Sequence, residues 1–429
     1  EYFVQGIFEL AGKVDADLLK RSWEQVINQH AVLRTAIVWE GLDEPVQVVL
    51  KGVQLPWYEE ELKLIDTDEQ EAWLGRFLLA DRKKTFNIQE APLLRLSYIK
   101  VGEEKCYLVW SQHHIVIDGW CLSIILKDVL ESYARLVNGE RLQIRVGKSY
   151  RDYIEWLQGQ SIEKALIFWD KYLAELDGVT SISLSDIGEG DGYGRETFYL
   201  SEESSQGLKS LAKKQGVTLN AILQTAWGLL ISNYVYQDDI VFGVTHSGRD
   251  IALSGVENIV GPLINTLPFR MRLFGEQRIE EVIKAVHADL ALISENAYVS
   301  LADLQKRHLN SKFDILYVFE NYPVDEAIGT RDIAGLNINN IKGIEKTEYP
   351  LTISVSQNNI FYIKLSYQRQ IFSDIRINKL IEHFKNIINQ ILEKVELPTK
   401  LLKTFTNKEE QRKQIDWNAT ATQYPKDKS

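Results

Sequence analysis

His113, His114, Asp118 and Gly119 stand together in the stretch His113-His114-Ile115-Val116-Ile117-Asp118-Gly119, and this is the strongest chemical cluster in the chain. A histidine titrates at about pH 6.5 when unperturbed, so it can take the proton that an attacking ammonium-derived amine must shed. The carboxylate of Asp118 can orient or anchor the loop, and Gly119 lets a substrate approach the backbone closely. The same pattern also suits a structural hydrogen-bond network or part of a metal site, and spacing alone leaves these readings open.

Other chemistries find less support. The remaining histidines, His30, His246, His287, His308 and His383, are scattered with no zinc-ligand spacing, so no metal is expected. No Gly-x-Ser-x-Gly elbow occurs, and neither Cys106 nor Cys121 has an activating neighbour in sequence, which argues against a covalent intermediate. Gly147-Lys148-Ser149 ends like a phosphate loop, but Leu142 stands where its leading glycine belongs. Asn418-Ala419-Thr420 matches a glycosylation acceptor by chance, since no secretory signal accompanies it.

The histidines must be positioned by what flanks them. Leu94 to Lys100 alternates, Gly102-Glu103-Glu104 turns, and Cys106 to Trp110 runs back as a strand ending at Ser111, so the histidines are expected just past a strand. Beyond Gly119, Ile124, Ile125, Val129, Tyr133 and Leu136 mark a helix that stops at Asn138-Gly139. Upstream, a first strand leads to a helix capped by Asp15, and a hairpin follows from Leu33–Trp39 and Val46–Leu50. Downstream come a helix from Thr218, strands Asp239–Val244, Leu263–Arg272 and Asp314–Glu320, a hairpin turning at Asn358-Asn359, and a helix from Ser373 to Glu393. Helices and strands mix without a regular βαβ repeat, which predicts an α+β chain of sandwich-like lobes.

Length and composition agree. At 429 residues, two packed lobes are expected, with the Gly-rich run Gly188–Gly194 at their boundary. The division reads as residues 1–176, a linker over 177–194, a second lobe over 195–398, and a polar tail over 399–429. The net charge of -11 with no basic stripe excludes a surface built for nucleic acid and disfavours a membrane surface. Two cysteines, no signal pattern and an apolar stretch at Leu219–Tyr236 interrupted by polar residues point to a cytoplasmic protein, trimmed at its N-terminus.

Taken in order, several segments resemble the condensation domains of nonribosomal peptide synthetases, over nearly the whole chain. Asn28-Gln29-His30-Ala31-Val32-Leu33-Arg34-Thr35 resembles the family's second core motif. His113 to Trp120 resembles the third, Tyr150-Arg151-Asp152-Tyr153-Ile154-Glu155-Trp156 the fourth, and Val260 to Arg270 the fifth, with Pro262-Leu263 in place of a commoner pair. Phe313 to Tyr322 resembles a late segment, and Trp417 to Pro425 a linker toward an adenylation domain.

The resemblance implies two chloramphenicol-acetyltransferase-like α/β-sandwich lobes in a V-shaped pseudo-dimer, with a tunnel receiving phosphopantetheine arms from partner carrier domains. It makes His114 and Gly119 catalytic, gives His113, Asp118, Arg270 and Arg34 supporting roles, and pairs Asp118 with Arg270. Trp120, Asn265, Thr266 and Asn321 become candidates for the tunnel wall or substrate contact. The partners implied are an upstream donor and a downstream acceptor carrier domain and a downstream adenylation domain; no cofactor is bound covalently, and the excised domain is expected to be monomeric.

The reaction implied is amide bond formation between a donor thioester and an acceptor amine. The paired aspartates of cyclising relatives are absent, and Thr245-His246-Ser247-Gly248-Arg249-Asp250 lacks the glutamate of epimerising ones. The motif form and the Phe319-Glu320-Asn321 segment lean toward an L-configured donor. A silent domain that recruits carriers or tailoring enzymes and a dual epimerising domain stand as alternatives.

Overall fold

The structure, a computed structural model, describes residues 3–62, 66–143, 147–176, 178–182, 190–320, 333–345, 348–357, 360–405 and 409. Among these residues the chain divides into two compact units. The first takes its residues from Glu1–Ser161, Ser247–Asn265 and Asn321–Glu348, and the second from Ile162–His246, Thr266–Glu320 and Tyr349–Ser429.

The first unit opens with β1 (Phe3–Ala11) and α1 (Ala16–Gln29), followed by the hairpin β2 (Thr35–Val38) and β3 (Val46–Val49). Then come β4 (Trp57–Glu61), α2 (Thr67–Arg82), β5 (Leu94–Lys100), β6 (Lys105–His113), α3 (Cys121–Val137) and α4 (Tyr150–Gln158). The Asp15 side chain accepts from Leu18 N–H at 2.9 Å and fixes where α1 begins. In β6, side chains alternate between two faces of the sheet. Cys106, Leu108 and Trp110 pack in the core with Trp23, Val26 and Ile125 of α1 and α3. Val109 packs on the other face with Trp73 and Phe77 of α2.

The second unit contains α5 (Ile162–Tyr172), β7 (Tyr193–Tyr199), α6 (Glu202–Gln215), α7 (Leu219–Val235), β8 (Asp239–His246), β9 (Asn265–Arg272), α8 (Ile279–Glu295), α9 (Leu301–Arg307) and β10 (Ile315–Glu320). After β11 (Asn337–Glu345), which belongs to the first unit, it continues with β12 (Leu351–Gln357), β13 (Phe361–Gln368) and α10 (Asp374–Glu393). Its sheet runs β7-β13-β12-β10-β8-β9, while the first unit's runs β11-β1-β6-β5-β4. Helix α7 is buried on nearly every side, and Trp227 meets Phe384 of α10 edge-on at 5.5 Å. Each such fully buried aromatic contributes about 1.5–3 kcal/mol of transfer free energy.

Three expectations need correction. Residues 162–176 belong to the second unit, because Ala165, Trp169 and Leu173 sit in its core. A single boundary at 177–194 also misses the return of 247–265 to the first unit, which follows from the packing of Val256, Ile259 and Leu263 against Tyr150 and Tyr153. The tail begins later than residue 399: Leu402 is buried in the second core, and the Gln390 side chain donates to Lys403 O at 2.7 Å. The proposed linker from Trp417 to Pro425 and the turn Asn358-Asn359 lie outside the described residues.

Candidate active site

The strand that delivers the histidines is longer than expected. β6 runs through Ser111 and Gln112 to His113, which pairs with Phe3 of β1, and His113 N–H donates to Leu93 O at 2.9 Å. His113 is therefore a strand residue, and His114 opens the turn that follows. The His113 Nδ1 accepts from Ile115 N–H at 3.2 Å, which leaves the proton of the neutral ring on Nε2. Phe86 packs edge-on against that ring at 6.5 Å. Val116 and Ile117 then turn into the core, so the loop is plugged from below while His114 stays half-buried and Ile115 exposed.

Asp118 is the anchor. Arg249 donates to both of its oxygens, Nη1 to Oδ2 at 2.9 Å and Nη2 to Oδ1 at 3.2 Å. Leu263 and Ile264 N–H donate to Oδ2 at 2.9 and 3.0 Å. Cys121 donates to Oδ1 from its N–H at 3.3 Å and its thiol at 3.2 Å, so the carboxylate also occupies the start of α3, where negative charge is favoured. Both side chains of the Asp118–Arg249 pair are only 2% exposed, a burial tolerated because nearly every lone pair is used.

Residues 247–264 wrap this pair. Arg249 also donates to Ser247 O at 3.1 Å and Ile259 O at 3.3 Å. The Cys121 sulfur accepts from Gly261 N–H at 3.2 Å, and burial holds its thiol well above the usual range. Gly261 has no room for a side chain, because a Cβ would enter the Tyr150 ring, whose hydroxyl burial pushes up to about 12. Gly248 adopts φ +67°, and a Cβ there would strike Leu263 O.

A second network stands behind His113. The Asp81 carboxylate, on α2, accepts from Gln5 Nε2 at 2.8 Å, Arg95 Nε at 2.7 Å and the hydroxyl of Ser111. Burial pushes its pKa up, but the Arg95, Ser111 and Gln5 hydrogen bonds outweigh that and hold it below the ordinary carboxylate value. Arg95 also lies over Phe86 at 4.4 Å, joining this network to the ring packed on His113.

The structure thus places His114, Asp118, Gly119 and Trp120 on one loop directly after the strand residue His113, but changes the roles of their expected companions. Arg270 does not pair with Asp118. It sits on β9 in the second unit, donating to Asp239 at 2.8 and 2.5 Å and to the carbonyls of Tyr172 and Ala174 at 3.1 and 2.6 Å. Arg249 takes its place because the 247–264 segment belongs to the same unit as the loop. Arg34 donates to the carbonyls of Ile27, Asn28 and Leu50, bracing the turn after α1.

The Trp120 indole N–H is held by Glu257 O at 3.1 Å, and the Arg249 guanidinium lies 5.3 Å over its ring. Asn265 follows directly on the Leu263-Ile264 pair that donates to Asp118, and Thr266 continues β9 in the second unit; both are half-buried. Asn321 lies outside the described residues. Sequence reasoning missed Arg249, Cys121 and Asp81 as supports. No local signal marks Arg249, because its pairing with Asp118 rests on the return of 247–265 to the first unit. Among the described residues, no group of three or more His, Cys, Asp or Glu is placed to hold a metal, and no helix is long and apolar enough to cross a membrane.

Two α/β units with a His-His-x-x-x-Asp-Gly loop pinned by a buried arginine define a class of acyl-transfer domain, and the family described as Condensation domain matches residues 1–414. The chain belongs to that family, whose general chemistry in nonribosomal peptide synthetases is peptide-bond formation. It is 34% identical over 433 residues to bacitracin synthase 3 of Bacillus licheniformis, covering 100% of this chain and 7% of that protein. To bacitracin synthase 1 of the same organism it is 29% identical over 435 residues, covering 100% of this chain and 8% of that protein. The chain thus spans a small fraction of the length of the curated relatives it matches. Its fold is similar to the first condensation domain of the calcium-dependent antibiotic synthetase in complex with substrate analogue 3a, at TM-score 0.77 and 16% identity over 94% of both chains.

Proposed function

We propose that this domain joins a donor acyl group, held as a thioester on one carrier's phosphopantetheine arm, to the amine of an acceptor aminoacyl thioester on another. The observation that carries the reading is the placement of His114: a half-buried titratable ring on a loop whose other side is immobilised through Asp118. The acceptor nitrogen attacks the thioester carbonyl, the tetrahedral intermediate expels the donor thiolate, and the nitrogen loses a proton. His114 receives that proton, and Gly119 leaves the backbone open to the arms. Asp118, Arg249 and Trp120 act as positioning residues that keep the loop rigid, which matters because small displacements of a reacting group cost rate steeply.

The donor is L-configured on this reading, supported by the motif form and by the Phe319-Glu320-Asn321 segment, while the absence of the epimerising glutamate from Thr245 to Asp250 supports condensation over epimerisation. Carrier domains on both sides, an adenylation domain downstream and a cytoplasmic setting belong to the same proposal, supported by synthetase relatives many times the length of this chain. The test is condensation between separately loaded donor and acceptor carriers, followed by mass spectrometry of the product. His114→Ala is expected to abolish product while circular dichroism and carrier binding stay unchanged. Undiminished turnover in that variant would remove His114 from the chemistry, and equal product from D- and L-loaded donors would overturn the L assignment.

A further inference from the structure

The hairpin β2–β3 forms a two-stranded sheet of its own, outside the five-stranded sheet of its unit. One edge is covered, since Ile37 N–H on β2 donates to Ile88 O at 2.8 Å. The other edge, β3, is exposed along its whole length, with Val46 43%, Val48 37% and Val49 52% accessible. Trp39 at 40%, Leu42 at 47% and Leu50 at 38% extend this apolar surface.

The register tells which backbone groups face outward. Leu50 N–H donates to Arg34 O at 2.9 Å, which makes 34 and 50 a hydrogen-bonded pair. In an antiparallel ladder such pairs alternate with non-bonded ones, so Ala36/Val48 and Val38/Val46 are bonded, while Thr35/Val49 and Ile37/Gln47 are not. The outward N–H of Ile37, taken by Ile88, agrees with this phase. It follows that the N–H and C=O of Gln47 and Val49 point away from β2, and no other described residue takes them up.

Exposed edges are ordinarily blunted by a lysine, proline or bulge within the strand, and Val46-Gln47-Val48-Val49 carries none. The charges around it are one-sided. Glu40, Asp43 and Glu44 line the turn, no basic residue lies between Ala36 and Leu50, and Lys51 stands beyond the far end.

We propose that this edge is a docking site for an extended, β-branched segment of another domain, which adds as a third strand and sets basic side chains against Asp43 and Glu44. Main-chain pairing at Gln47 and Val49 supplies the binding, the valines supply apolar contact on both faces, and the acidic turn selects a cationic partner.

The probe is a fluorescent peptide of alternating Val and Thr with Lys and Arg at the end that meets the turn. It is compared with a twin carrying Glu at those positions, by anisotropy and by amide exchange on the whole chain. The basic peptide is expected to bind about tenfold tighter than the acidic one. It should slow exchange at Gln47 and Val49, with no change at Val46 and Val48, which the ladder already protects. Val49→Pro removes an outward N–H that the ladder does not use, so the variant should keep its thermal midpoint and lose binding. Equal binding of the two peptides, binding unchanged by Val49→Pro, or a chain dimer in sedimentation that Val49→Pro dissolves would each overturn the proposal, the last by making a second copy the occupant.

Discussion

Each unit buries an arginine against an aspartate, and the two pairs do different work. In the second unit Arg270 is 4% exposed, but Asp239 is 33% exposed, so water reaches the carboxylate and the guanidinium keeps the Tyr172 and Ala174 carbonyls if the acid is lost. In the first unit Asp118 and Arg249 are both 2% exposed, and Asp118 ties the histidine loop and the adjoining start of α3 to Arg249 and the Leu263-Ile264 backbone, which are distant in sequence. A half-open pair staples one strand to its neighbours, whereas a closed pair fixes the geometry of a loop. That difference predicts where substitutions hurt most.

Asp118→Ala leaves Arg249 charged in a dry pocket and takes the acceptor from Ile264 N–H, while Leu263 N–H keeps only its 3.1 Å contact with Gly261 O. The expected loss is about 3–5 kcal/mol in urea unfolding, with condensation abolished. A well-folded, fully active Asp118→Ala variant would show that the loop needs no anchor and would erase the contrast between the two pairs.

The pair behind His113 sharpens the comparison through pH. The Asp81 carboxyl is held below its ordinary value of 3.8, so the folded chain prefers the carboxylate more strongly than the unfolded chain does. Its stabilisation is present in full above about pH 4 and fades as pH falls through the depressed folded value. Asp81→Asn should cost about 1.5–3 kcal/mol at pH 7 and less below pH 4, measured by urea unfolding across that range. A loss independent of pH would show that packing at Asp81, not its charge, supports β6.

How much of this was legible beforehand follows the range over which each feature is set. Asp15 at the start of α1 and Thr218 and Ser373 at the starts of α7 and α10 are local signals that stand where their side-chain chemistry put them, and Gly139, at φ +71°, ends α3 in the same local way. The histidine loop was legible because its chemistry is concentrated in one short stretch. The arginine was not, since Arg249 and Arg270 lie in neighbouring segments and only the return of 247–265 to the first unit decides between them. Likewise the parallel pairing of β4 with β5 and of β10 with β12 leaves no local pattern, because the partner strand is distant in sequence.

Asp239→Asn tests the open pair directly. Arg270 retains two carbonyl partners and position 239 is open to water, so the expected loss is about 1–2 kcal/mol, with condensation unchanged wherever the variant is folded. A loss as large as that of Asp118→Ala would mean that solvent access does not soften the second pair.

The smallest effect is expected from Cys121→Ser, and comparison with Cys121→Ala separates a hydrogen-bonding role from a thiol role. The sulfur lies 3.2 Å from Asp118 Oδ1, from Gly261 O and from Gly261 N, and burial keeps the thiol protonated, so it serves as a neutral donor and acceptor. A serine hydroxyl offers the same donor and acceptor in slightly less volume. Cys121→Ser should therefore change stability by less than about 1 kcal/mol and keep condensation within about twofold, while Cys121→Ala, which leaves Gly261 N–H unpaired, should cost about 1–3 kcal/mol. If alanine proves as benign as serine, the contact between α3 and Gly261 contributes nothing, and Asp118 with Arg249 alone holds the loop.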